Sequence, residues 1–90
     1  MAMTKTTTIT WASAEAQDDE RLKTARLAKL VEMVNDNKTD NVRDIISPVT
    51  TVRSWRDQSA AEEYISFIMG QCEIFDLDIV STVIGNITPA

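Results

Sequence analysis

The chain has 90 residues, 43% hydrophobic and 26% charged, with two glycines, two prolines, one cysteine and no histidine. That is one small domain over residues 1–90, too poor in chain breakers for a linker and unable to form an internal disulfide. A net charge of −5 argues against a nucleic-acid backbone as the main partner, and the missing histidine removes the commonest general base and zinc ligand.

Residues 1–45 carry 7 basic and 8 acidic side chains, residues 46–90 carry 2 and 6, so the acidic excess lies in the second half. The N-terminus is polar and no apolar run approaches the ~20 residues that cross a bilayer. The expectation is a protein without a secretory signal or a membrane partner, in a reducing cytoplasm.

Thr6–Trp11 alternates as a strand, with Ile9 and Trp11 on one side and Thr8 and Thr10 on the other. Ser13 stands where a helix cap belongs, and Glu15, Asp18, Asp19 and Glu20 complement the positive end of a helix dipole. The spacing predicts one long helix over 14–35, burying Leu27, Leu30, Val31 and Val34, with Leu22 and Met33 on the shoulder. The polar stretch "NDNKTDN" at 35–41 is a turn. It fails the calcium-loop pattern, which needs a glycine and a glutamate where Asn41 and Ser47 stand. Val42, Ile45 and Ile46 fit either a short helical turn ended by Pro48 or an extended segment.

Val49–Trp55 alternates as a second strand, with Thr51, Arg53 and Trp55 sharing a side. Ser59 and Glu62 match a capping box, and Ala61, Tyr64, Ile65, Ile68 and Cys72 trace one helical face. Gly70 is expected to end this helix and residues 71–78 to connect it to a third strand at 78–85. Pro89 should take the tail out of the sheet. "TTITWAS" at 7–13 and "TTVRSWRDQS" at 50–59 echo one another; a duplicated βα unit and two similar answers to one local problem both explain that.

The order β-α-(α)-β-α-β predicts an α+β two-layer sandwich, a three-stranded sheet with two main helices on one face, close to a truncated ferredoxin-like fold. Such a sheet leaves two strand edges and one face open, and these commonly pair with another chain.

No residue set here reads as catalytic, cofactor-binding or metal-binding. Cys72 continues an apolar face and reads as a core thiol; Glu73, Asp76 and Asp78 are a local carboxylate cluster with the character of a solvated loop. Arg53, Trp55 and Arg56 are the most interaction-like group, since arginine can lie over an indole, and Trp11 is the analogous residue of the first unit. Either the indoles pack in the core, or they form a partner-binding patch on the sheet.

The stretch "TTVRSWRDQSAAEEYISFI", within residues 50–84, resembles segments of small proteins encoded by tailed bacteriophages, cyanophages among them. The resemblance implies a virion component or small accessory factor, located in the host cytoplasm or incorporated in the virion. It carries over no functional residue. The expected function is a non-enzymatic module that self-associates or binds other virion proteins. The alternatives are a small acidic inhibitor of a host protein, and a cofactor-free enzyme with an apolar pocket lined by Tyr64 and a tryptophan.

Overall fold

Alternating threonine with Ile9 and Trp11 suits a half-buried pleat, and Lys5–Trp11 forms strand β1. A computed structural model describes residues 2–40 and 45–87. After β1 come α1 (Ala14–Gln17), α2 (Glu20–Asn35), β2 (Ile45–Ser47), β3 (Thr50–Trp55), α3 (Gln58–Phe75) and β4 (Ile79–Asn86).

The strands form one sheet in the order β2-β3-β1-β4, each antiparallel to its neighbours. β3 and β4 flank β1 and are joined by α3, a split β-α-β unit. The α+β sandwich and its three long strands are as the sequence leads one to expect. The three-residue β2 adds a fourth strand beside β3, so the connectivity is that of the complete, not the truncated, ferredoxin-like fold. Of the two conformations open to residues 39–48, Ile45–Ser47 takes the extended one; Val42 lies outside the described residues, as do 88–90, including Pro89.

On one face of the sheet Thr7, Ile9 and Trp11 of β1 and Thr51, Arg53 and Trp55 of β3 are buried. There α3 packs against β4, β1 and β3, and α2 packs against α3. Trp11, Trp55, Tyr64, Leu22, Met33 and Ile68 fill the space between the layers. The Trp55 and Tyr64 rings lie 4.6 Å apart, tilted by 36°. Truncating a buried aromatic of this kind to alanine costs about 3–5 kcal/mol.

The predicted helix 14–35 is two helices. Ser13 Oγ accepts from Ala16 N at 3.1 Å to cap α1. Asp19 then caps α2, its Oδ1 accepting from Arg21 N at 2.9 Å and Leu22 N at 3.3 Å. The buried face of α2 is Leu22, Leu30 and Met33, while Leu27 is 57% and Val31 49% exposed. The predicted face was therefore rotated. α2 carries two overlapping apolar stripes, and ties to α3 select between them. Lys29 pairs with Glu63 at 3.0 Å and lies 5.5 Å from the Phe67 ring centre, and Arg21 lies 4.9 Å from that of Phe75.

The cap of α3 is Asp57, whose Oδ1 accepts from Ala60 N at 2.9 Å, in place of the expected Ser59. Gly70 lies inside α3, which continues to Phe75. It ends at Asp76, in the left-handed region at φ 57°, where Leu77 N reaches back to Cys72 O at 2.8 Å. α2 closes the same way: Asn37 has φ 59° and Lys38 N reaches Met33 O at 2.9 Å. Both are Schellman-type closures built without glycine.

Candidate functional site

The four residues expected to meet a partner are not a surface patch. Trp11, Arg53 and Trp55 are 2%, 3% and 0% exposed. The two indoles take the core reading, because the helix layer covers the face of the sheet that carries them. Trp11 Nε1 donates to Thr51 Oγ1 at 3.1 Å, and Trp55 Nε1 donates to Thr7 Oγ1 at 2.8 Å. These bonds form a reciprocal clasp. In each strand a threonine stands four residues before the tryptophan, and antiparallel pairing of Ile9 with Thr51 and Thr7 with Arg53 brings each indole to the other strand's hydroxyl. The sequence echo is the visible half of that clasp.

The Thr51 hydroxyl also donates to Gln17 Oε1. Gln17, itself buried, donates from Nε2 to Ser47 O at 2.7 Å and Pro48 O at 3.0 Å. One polar chain thus joins β1, β3, α1 and the β2–β3 turn. Such buried networks fix the register of the elements they join.

Arg53 lies under the helices, its guanidinium carbon 6.0 Å from the Trp55 ring centre. Arg56 is engaged within the chain: Nε donates to Asp57 Oδ2 at 3.0 Å, and one terminal nitrogen approaches Asp36 O at 3.4 Å and Asn37 O at 3.5 Å. It ties the end of α2 to the start of α3.

Cys72 is buried on the inner face of α3, and burial pushes its thiol pKa up. A thiol held protonated in this way is a poor nucleophile. Among the described residues Glu73, Asp76 and Asp78 do not come together as a metal-binding set. The enzyme alternative places Tyr64 and a tryptophan around an apolar pocket; Tyr64 and Trp55 are both buried, with their rings in contact. An open depression of about 280 Å³ lies beside Ala14, Gln17, Asp18, Ser47 and Pro48. Another of about 230 Å³ lies between Met69, Cys72, Glu73, Leu77 and Ile79.

Among the described residues, what the fold leaves open is the outer edge of β4. There this strand pairs with β1 on one side only. Its eight residues, IVSTVIGN, contain no charge and no proline. Trp11 N bonds towards β3, at Val49 O, so alternate residues Thr10, Thr8 and Thr6 bond towards β4, opposite Ser81, Val83 and Gly85. Thr82 and Ile84 consequently direct their backbone N–H and C=O groups outward. A register shift at Thr10/Trp11 breaks the alternation of β4, and Val80 and Val83 are 68% and 56% exposed. The opposite edge is the three-residue β2, followed at once by Pro48. The sequence shows β4 as a strand but not as an edge, because strand order is a long-range property.

No helix among the described residues is long and apolar enough to cross a membrane. Compared with protein-family models, with curated proteins and with solved structures, the chain matches none.

Proposed function

We propose that the chain is a non-enzymatic interaction module that associates with further copies of itself through the outer edge of β4. One observation carries this reading: an edge strand of eight residues with neither charge nor proline. Edges of monomeric proteins are ordinarily blunted by lysine, by proline, by shortness, by a bulge or by a cover. β2 is short and borders a proline, whereas β4, beyond the register shift near Ile79–Ser81, runs through Asn86 with none of the first four devices. The buried indoles leave the strand edge as the remaining contact of the two expected from sequence. A role as a small virion component or accessory factor in a phage-infected cell is compatible with copy-to-copy assembly of this kind.

Size-exclusion chromatography with light scattering over a concentration series tests the reading. The expected result is a mass of twice the monomer or more, reduced to the monomer by Thr82→Pro, which removes an outward N–H, and by Val83→Lys, which places a charge beside the edge. A wild-type protein that stays monomeric up to high concentration overturns it.

A further inference from the structure

Resting on that reading, we infer that the contact between copies has a second layer, in which the flank of α3 that carries Ile65 and Met69 packs against the same flank of α3 in the other copy. α3 has three engaged or exposed sides. Ala61, Tyr64, Ile68 and Cys72 face inward. Glu63 and Phe67 face α2, where Lys29 meets both. Helical spacing puts Ile65 and Met69, at i and i+4, on the opposite flank, towards β4. There Met69 shares the depression of about 230 Å³ with Leu77 and Ile79, the first residue of β4. Ile65 is half-buried against the core, and Met69, although apolar, is 53% exposed.

Symmetry decides what meets this flank. Two copies joined by one edge form a closed pair about a two-fold axis. An axis along the strands would set N–H against N–H, so the axis stands perpendicular to the sheet and the strands run antiparallel. That operation leaves both helix layers on the same face of the joined sheet. α3 packs against β4 and β1, so α3 and its copy lie two to three strand spacings apart, about 10–14 Å. Helices in contact lie about 8–10 Å apart, and a long side chain such as Met69, projecting from both copies, bridges the remainder.

Area asks for such a layer. An eight-residue strand is about 27 Å long, so edge against edge covers roughly 270 Å² of each copy in a sheet about 10 Å thick. A specific interface takes about 800 Å² from each partner. On the helix side, the flank of α3 is the apolar surface continuous with that edge. Its rim is acidic: exposed Glu62 and Glu73 stand seven residues before Met69 and four after it, and Gln58–Phe75 contains no basic residue. Apolar contact at the centre of the seam therefore works against like charge at its border.

Analytical ultracentrifugation over a concentration series tests the seam. Met69→Glu should weaken self-association about tenfold or more, because it removes buried apolar area and adds an acid to an acidic rim. Leu27→Glu, at a similarly exposed apolar position on α2, should leave association unchanged. Glu62→Gln should tighten a discrete dimer, a gain that an unfolded variant cannot give. Circular dichroism of dilute samples shows which variants are folded; if Met69→Glu is not, Glu62→Gln decides. A wild type that associates while folded Met69→Glu matches it, while Leu27→Glu is equally damaging, or while Glu62→Gln associates no more tightly, overturns the seam and leaves pairing through β4 standing. A wild type that never associates removes both.

Discussion

Thr7 and Thr51 each hold an indole N–H inside the molecule, and the cost of deleting one hydroxyl follows from what it strands. Thr7→Val leaves Trp55 Nε1, now bonded at 2.8 Å, without its acceptor in a fully buried position. The expected destabilisation is about 1–3 kcal/mol. Thr51→Val should cost more, because the same hydroxyl accepts from Trp11 and donates to Gln17. Urea unfolding followed by tryptophan fluorescence measures both. Equal stability of wild type and both variants would contradict the clasp. At this scale the sequence was informative but ambiguous. The pattern of threonine four residues before tryptophan stands twice in the chain, yet it is equally a strand surface ready for docking. Only the side on which the helices lie makes Trp11, Arg53 and Trp55 core residues, and that choice is not local.

Gly70 separates two accounts of α3. As a helix end it would resist replacement; as an interior residue it is a weak point. It lies inside α3, and an added Cβ would meet nothing within 4 Å. Gly70→Ala should therefore stabilise the protein by about 0.5–1 kcal/mol, raising the melting temperature by several degrees. A lowered melting temperature would place a helix end at Gly70 after all. Beside its apolar packing, the joint between α2 and α3 carries an ion-pair tie at Glu63. Hydrogen bonds from Lys38 at 2.9 Å and then from Lys29 hold the Glu63 carboxyl below the usual glutamate range, and the same contacts raise both lysines. The unfolded chain thus takes up the Glu63 proton first as pH falls. The stabilisation is present above the ordinary glutamate pKa of about 4.3 and fades as pH drops through the lower folded value. Glu63→Gln should lower stability at pH 7 and have a smaller effect near pH 3, in paired urea titrations. Elements were legible where one periodicity ruled, as in β1, β3 and the face Ala61, Tyr64, Ile68 and Cys72. They were not where two signals competed. Asp19 is both an acid of a first turn and a cap that starts a new helix, and α2 has two apolar stripes whose choice depends on Glu63 and Phe67. Gly70 drew the helix end away from Asp76, since aspartate in the left-handed region leaves only a weak local mark.

At the scale of the molecule, two β-α-β halves share β1 and β3 as their joined centre, with the reciprocal Trp–Thr bonds between them. The alternating strands and helix stretches made the sandwich readable. The sheet order β2-β3-β1-β4 rests on pairings such as Thr8 with Val83, 75 residues apart in sequence, and no local pattern encodes them. That order alone makes β4 an edge, and the proposed self-association follows from it. Thr82 and Ile84 put the claim to the most direct measurement, which is amide hydrogen exchange followed by NMR as a function of protein concentration. The account predicts that the Thr82 and Ile84 amides exchange freely in dilute solution and become protected as concentration rises, in step with association. Protection at these two amides that does not change with concentration, or its absence while the protein associates, would contradict pairing through β4.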